Sequence, residues 1–156
     1  QDIDLWTKKF EESKYFVNWL YMQTNNPETL LFLFDNEKTF EECLQKGRSL
    51  EDLNQFYIKA FQEKTKPLYI KYQDYGIPAY NSTFLQSVLA NILADPILGV
   101  AIIFSIKGDR VRMGVRSVKD SKVSALEIAR LFGGGGHRNA AGCEMSLLDF
   151  TGILAS

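Results

Sequence analysis

The chain has 156 residues, of which 46% are hydrophobic and 24% are charged, as in globular domains large enough to bury a core. Its longest apolar run, Ile97–Phe104, is too short to cross a bilayer, so we expect no membrane partner. One histidine and two distant cysteines do not fit a histidine-rich zinc site or an H-E-x-x-H motif. No secretory leader opens the chain, and we therefore expect a cytoplasmic protein with two reduced, buried thiols.

Positive charge is concentrated in one part of the chain. The formal net charge is -1, but residues 107–138 contain eight lysines and arginines against three acidic residues. A local basic cluster in a weakly acidic protein indicates a binding site for an anion, and a solvated charged face is the alternative interpretation.

Residues 1–66 have the composition of helices. We expect one helix over Glu37–Lys46, ended or kinked at Gly47, because glycine is common just after a helix. Ser49–Asp52 has the form of a capping box and predicts the start of a second, amphipathic helix that ends near Pro67. The apolar face of this second helix has helical spacing and comprises Leu53, Phe56, Tyr57, Ala60 and Phe61.

Residues 67–156 alternate between strand and helix patterns. Strands are predicted over Leu68–Tyr72, Ile77–Tyr80, Gly99–Ile106 and Arg110–Ser117, and after Gly142. Helices are predicted after a cap at Asn81-Ser82 and over Ser121–Leu131. The predicted fold class is α+β, with an N-terminal helical connector followed by a small mixed β-sheet domain packed with helices.

The stretch Gly133–Gly142 is the strongest functional signal. Four consecutive glycines lose backbone entropy on folding, so they need a compensating role. Their amides can curve into an anion-binding nest, and a helix beginning at the end of the loop would add its dipole; a flexible linker is the alternative. The loop matches neither the Walker A motif nor the dinucleotide fingerprint. The candidate ligand-binding residues are Arg116, Ser117, Gly133, Gly134, Gly135, Gly136, His137 and Asn139.

These residues carry a resemblance to a known family. Arg116-Ser117, followed by Gly134 to Gly142, resembles the "RS … GGGHxxAAG" signature of the DHH-associated C-terminal domain of DHH-family phosphoesterases. Ile3–Trp6 is similar to the segment that follows the catalytic domain in this family, and the helix around Gly47 is similar to its connector.

The resemblance implies a division of labour between two domains. Residues 1–66 would follow a DHH catalytic domain as a helical linker, and residues 67–156 would bind a nucleotide phosphate or a short single-stranded nucleic acid. The catalytic domain would hold two manganese ions, but this chain contains no Asp-His-His sequence. We therefore expect no catalytic and no metal-binding residues here, and no activity of this chain alone. The substrate of the family can be DNA, RNA, a dinucleotide, a cyclic dinucleotide or pyrophosphate.

Two other functions stay open. Asp2, Asp4 and His137 could form a complete small hydrolase, although two such aspartates rarely make a two-metal centre. Alternatively, residues 1–66 could mediate dimerisation, with the glycine loop serving only packing, so that the protein is an interaction module and a homodimer.

Overall fold

The computed structural model describes residues 12–22 and 37–155. The chain divides into two compact units, residues 1–61 and residues 62–156. The described residues form α1 (Ser13–Tyr21), α2 (Glu37–Lys64), β1 (Leu68–Tyr72), β2 (Tyr75–Asn81), α3 (Gln86–Ile92), β3 (Val100–Lys107), β4 (Arg110–Ser117), α4 (Ala125–Leu131), β5 (Gly135–His137), β6 (Ala140–Ser146) and α5 (Leu147–Gly152). The predicted α+β class, with a mixed sheet packed with helices, is confirmed. Ile3–Trp6, Asp2 and Asp4 lie outside the described residues.

Helix α2 runs without interruption through Gly47, so the prediction of two helices is wrong. A Cβ atom at Gly47 would collide with the backbone of Tyr15 in α1, and the glycine therefore permits close helix packing. The hydroxyl of Ser49 donates a hydrogen bond to the carbonyl of Gln45 at 3.2 Å, as serines inside helices do, and does not cap a helix.

Three of the five residues of the apolar face predicted for the second half of α2 lie on the surface, and Ala60 and Phe61 are partly buried. Phe56 is 67% exposed, and Leu53 and Tyr57 are each 47% exposed. Ile58 is the buried residue of this half of the helix, with 4% of its surface exposed. An exposed apolar stripe of this kind is typical of an interaction surface.

The six strands of the described chain form one sheet in the order β1-β2-β3-β4-β6-β5. Strands β2 and β3 are parallel and joined through α3, and the other neighbouring pairs are antiparallel. The outer edge of β1 is covered by the C-terminal residues, because the amide of Ala155 donates to the carbonyl of Tyr69 at 2.8 Å. Strand β5 forms the other edge of the sheet.

The two faces of the sheet are covered differently. One face packs against α4 and α5 and forms the main core, whose centre includes Ile102, Met113, Val115, Ile128 and Phe150. On the opposite face α3 packs against β3 and β4, and Ile103 is fully buried there. Within the described residues, α3 packs mainly against these two strands, and Gly135, His137 and Glu144 of β5 and β6 are exposed.

Local signals set the bounds of β4 and α4. Strand β4 has the predicted bounds, and its residues alternate between buried and accessible along the strand. Helix α4 begins later than predicted, at Ala125, because the hydroxyl of Ser124 accepts a hydrogen bond from the amide of Glu127 at 3.1 Å and caps the helix.

The start of α3 differs from its prediction. Ser82 does not cap the helix; its hydroxyl accepts from the amide of Phe84 at 3.3 Å and donates to the carbonyl of the same residue at 2.9 Å. The chain then passes through Leu85 in the left-handed region, with φ of 48°, before α3 begins at Gln86.

Candidate functional site

An open cleft of about 390 Å³ lies on the sheet face opposite the main core. Its residues come from the start of α3, from β4, and from the β5–β6 hairpin. They are Gln86, Arg112, Met113, Gly114, Arg116, Gly135, Gly136, Ala140, Ala141 and Gly142. All of them belong to the unit formed by residues 62–156.

A row of three glycines forms the floor of the cleft. Gly142 pairs with Gly114 in the β4–β6 ladder and with Gly135 in the β5–β6 ladder. The row crosses two strand spacings, a length of about 10 Å without side chains. Strands β4 and β6 have neighbours on both sides, so their peptide groups bond within the sheet. The floor therefore permits close approach of a ligand, while the polar groups come from the walls.

Two arginines stand on either side of Gly114. Arg112 and Arg116 lie two residues before and after this glycine, and alternation along the strand places all three on the same face. In the described part of the chain, the ion pairs involve Arg48 and Arg110, and neither Arg112 nor Arg116 has a carboxylate partner. Glu144 lies opposite Arg112 in the β4–β6 ladder, but its ion pair at 3.0 Å is with Arg110. The cleft thus carries two arginines that form no ion pair within the described residues.

Arg116 is held in place by neutral groups. Its Nη1 donates to the carbonyl of Val115 at 2.9 Å, and its Nη2 donates to the hydroxyl of Ser87 at 2.9 Å. The side chain is half-buried, and burial lowers the pKa of its guanidinium from the ordinary value. A partly desolvated cation without a carboxylate partner attracts an anionic ligand.

The four glycines after α4 have separate roles. The amide of Gly133 donates to the carbonyl of Arg130 at 3.1 Å, and the amide of Gly134 donates to that of Ala129 at 2.8 Å, which is a Schellman motif ending α4. Gly133 has φ of 74°, a conformation that favours glycine. Gly135 and Gly136 belong to β5, so the expectation of one continuous glycine loop is wrong, and no helix begins at its end.

Ser117 and Asn139 lie beside the cleft and not in it. Ser117 is buried, and its hydroxyl accepts from the amide of Ala125 at 3.2 Å and donates to the carbonyl of Arg138 at 3.5 Å. The amide of Ser117 also donates to the carbonyl of Asn139 at 3.1 Å. The side-chain oxygen of Asn139 is buried without a hydrogen-bond partner in the described structure. The hydrogen bonds of Ser117 therefore connect the β5–β6 turn to β4 and to the start of α4.

His137 is exposed on β5, at the edge of the cleft. It pairs with Ala140, which in turn pairs with Arg116 in the next ladder. The three residues form a cross-strand row next to the glycine row, on the same face of the sheet. His137 itself is not among the residues that line the cleft.

The structure brings together Arg116, Gly135 and Gly136 of the predicted site residues. It adds Arg112, Gly114, Gly142 and Gln86, which are not among the predicted site residues. The alternation in β4 was the signal that could have found two of them, because it places Arg112 and Gly114 on the same face as Arg116.

Within 12–22 and 37–155, no three His, Cys, Asp or Glu side chains are grouped closely enough to hold a metal ion. These residues therefore do not fit the two manganese ions that the family resemblance implies. None of the helices that the structure describes combines the length and the apolar character needed to span a bilayer.

Comparison with known proteins adds a fold similarity. No protein-family model and no curated protein sequence matches this chain. The fold is similar to that of the pGpG-specific phosphodiesterase PggH from Vibrio cholerae, with a TM-score of 0.52 and 13% sequence identity over 90% of this chain. The match covers 54% of that phosphodiesterase, so this chain spans about half of its length. The C-Ala domain of Aquifex aeolicus alanyl-tRNA synthetase has a TM-score of 0.35 and 23% identity, covering 55% of this chain and 86% of that domain. The similarity to PggH is one of fold.

Proposed function

We propose that the cleft binds the phosphate of a nucleotide, or of the end of a short single-stranded nucleic acid. The observation that carries the proposal is the pair Arg112 and Arg116, two cations without carboxylate partners in the described chain, on either side of a bare glycine floor. Each charge-assisted hydrogen bond from a guanidinium to a phosphate contributes on the order of 1.5–3 kcal/mol. Phosphate contacts then supply most of the affinity, and binding weakens as salt is added.

The remainder of the ligand would lie on the glycine floor. A strip about 10 Å long without side chains accepts a flat group in contact with the backbone. Gln86 lines the same cleft, and its amide nitrogen donates to the carbonyl of Ser82 at 2.9 Å. Its amide oxygen is the atom left to accept a hydrogen bond from a base or a sugar hydroxyl. His137 would contact the ligand from β5, at the edge of the cleft.

The larger proposal concerns the whole protein. Residues 67–156 would be the DHH-associated substrate-binding domain of a DHH-family phosphoesterase, and residues 1–66 the connector to its catalytic domain. The resemblance of Arg116-Ser117 and the GGGH stretch to the family signature supports this, together with the fold shared with a phosphodiesterase about twice as long. The two manganese ions, which activate water for attack on phosphorus in that family, would be bound by the catalytic domain.

A second candidate function is an interaction module. The exposed stripe of α2, with Phe56 67% exposed, favours a role of residues 1–66 in dimerisation. In that case the glycine row would only allow strands and helix to pack closely.

A titration of the full chain with pGpG, a 5′-phosphorylated dinucleotide, separates these functions. The experiment is isothermal calorimetry at several salt concentrations, with and without manganese, followed by chromatography of the nucleotide. Salt-sensitive binding without hydrolysis is the result we expect. Hydrolysis by this chain would instead support a complete hydrolase that includes Asp2, Asp4 and His137. No binding at low salt, together with a concentration-dependent dimer, would support the interaction module.

A further inference from the structure

The first turn of α3 contacts Arg116, one of the two arginines of the cleft. Arg116 Nη2 lies 2.9 Å from the Ser87 hydroxyl oxygen, and Arg116 Nη1 lies 2.9 Å from the carbonyl oxygen of Val115. A guanidinium has five N–H donors, so these two bonds leave three donors for a ligand. The two bonds come from different elements, one from β4 itself and one from α3, and together they fix the plane of the guanidinium.

Ser87 is itself held rigidly. Its carbonyl accepts a hydrogen bond from the side chain of Asn91 at 2.9 Å. Two and three residues further along α3, Leu89 and Ala90 are fully buried where the helix packs against the sheet. A side chain on a rigid element can orient its partner more accurately than one on a loop.

The chemistry of Ser87 matters as much as its position. A serine hydroxyl accepts a hydrogen bond without carrying charge, so it orients the guanidinium and leaves its positive charge uncompensated. An aspartate at position 87 would also accept the bond, but it would pair with Arg116 and cancel the charge that an anion needs.

We propose that Ser87 is a positioning residue, which fixes the guanidinium of Arg116 toward the cleft while keeping its charge available to an anionic ligand. The inference rests on the proposed function, since it assigns a role to Ser87 in that same site. It also makes a statement about the free protein, namely that the Ser87 hydroxyl restrains the Arg116 side chain.

The test uses three variants of the full chain, with pGpG as the probe. We expect Ser87→Ala to weaken binding about three- to tenfold, the effect of losing one orienting hydrogen bond, with an unchanged salt dependence. Ser87→Thr keeps the hydroxyl and should bind within about twofold of the unmodified chain. Ser87→Asp should weaken binding by about tenfold or more and flatten the salt dependence, without lowering the melting temperature.

Exchange of the Arg116 side-chain N–H protons with solvent, measured by NMR in the free protein, provides a readout that needs no ligand. Faster exchange in Ser87→Ala, restored in Ser87→Thr, supports the inference. Equal exchange rates in the unmodified chain, Ser87→Ala and Ser87→Thr overturn it. Equal pGpG affinity of the unmodified chain, Ser87→Ala and Ser87→Asp also overturns it. If the unmodified chain does not bind pGpG, the proposed function fails, and the exchange rates alone then decide whether Ser87 restrains Arg116.

Discussion

Gly114 of β4 lies directly opposite Gly142 of β6, and this pair leaves the centre of the cleft without side chains. The two glycines are required for different reasons. A Cβ atom on Gly142 would lie 2.9 Å from the carbonyl oxygen of Met113, so the fold itself needs this glycine. A Cβ atom on Gly114 would have the carbonyl oxygen of Ile103 as its nearest neighbour, at an ordinary distance of 3.7 Å. The fold therefore tolerates a side chain at position 114, and the open cleft is what the glycine preserves.

Substitution of Gly114 should separate stability from binding. We expect Gly114→Ala to raise the free energy of unfolding by about 0.5–1 kcal/mol, because glycine is unfavourable in a strand interior. The added methyl group enters the cleft, so the affinity for pGpG should fall by about threefold or more, and Gly114→Val should lower it further. Chemical denaturation and calorimetric titration measure the two effects.

Gly152, at the end of α5, provides the matched control for Gly114. A Cβ atom there meets nothing within 4 Å, and the residue is remote from the cleft-lining set. Gly152→Ala should leave pGpG affinity unchanged. Equal affinity of Gly114→Ala and the unmodified chain would show that the ligand does not approach the floor.

Loss of Arg116 should weaken nucleotide binding strongly. We expect Arg116→Ala to reduce affinity for pGpG or AMP about tenfold or more, roughly 1.4 kcal/mol, with the fold intact. Arg110 is the control, because its charge already pairs with Glu144 at 3.0 Å on the surface of the same strand. Arg110→Ala should change affinity much less. Unfolding of Arg116→Ala would instead indicate that this arginine serves packing.

His137 is predicted to contribute from the edge of the cleft. Its side chain is exposed, so His137→Ala should leave the melting temperature unchanged. Its position in the row with Ala140 and Arg116 leads us to expect about tenfold weaker nucleotide binding. Normal affinity of this variant in a calorimetric titration would remove His137 from the site.

Arg112 should act through its charge. It is exposed and has no carboxylate partner in the described structure. We expect Arg112→Ala to reduce the slope of log affinity against log salt concentration by about 0.7, the value for one phosphate contact on a single strand. The measurement is a pGpG titration at four salt concentrations, with Lys71→Ala as the control, because Lys71 is exposed on β1 at the other edge of the sheet. An unchanged slope in Arg112→Ala would place this side chain away from the phosphates.

The stability of the chain should decline at alkaline pH, in part through Cys143. Burial raises the pKa of this thiol from 9.0 to about 11. Below pH 9 the thiol is neutral in both the folded and the unfolded state. Between pH 9 and about 11 the unfolded thiol loses its proton while the folded one keeps it, so the free energy of unfolding falls as pH rises.

Removal of the thiol should reduce this alkaline decline. Cys143→Ala starts from a lower stability, because it removes a buried side chain, but its melting temperature should fall less steeply above pH 9. Parallel melting-temperature curves for the variant and the unmodified chain between pH 8 and pH 11 would contradict the assignment. Tyr72 contributes to both curves, since its hydrogen bond to Glu127 and its burial also raise its pKa.

The sequence predicted the elements whose signals are local. The alternation of Val111, Met113 and Val115 with polar residues predicted β4 with its observed bounds, and the same alternation implies which residues share the face of Arg116. Five of the six strands, together with α3 and α4, followed from such patterns, whereas β5 and α5 were not predicted. The predicted fold class is therefore confirmed, although single helix ends differ by several residues.

The roles of the glycines are harder to predict from the sequence, because they depend on contacts with residues distant along the chain. Gly47 was expected to end or kink a helix, but it lies inside α2 against Tyr15 of α1. Gly135 was expected in an anion-binding loop, but it pairs with Gly142 at the sheet edge. No local pattern reports which strand becomes the neighbour of β6, so the glycine row could not be predicted from the sequence.

The most direct test of the cleft assignment is a titration of the isotopically labelled full chain with pGpG, followed by amide chemical shifts. We expect the largest shifts on the amides of the first turn of α3 and of Arg112, Gly114, Arg116, Gly135 and Gly142. Shifts confined to other surfaces, with these amides unchanged at saturating nucleotide, would contradict it.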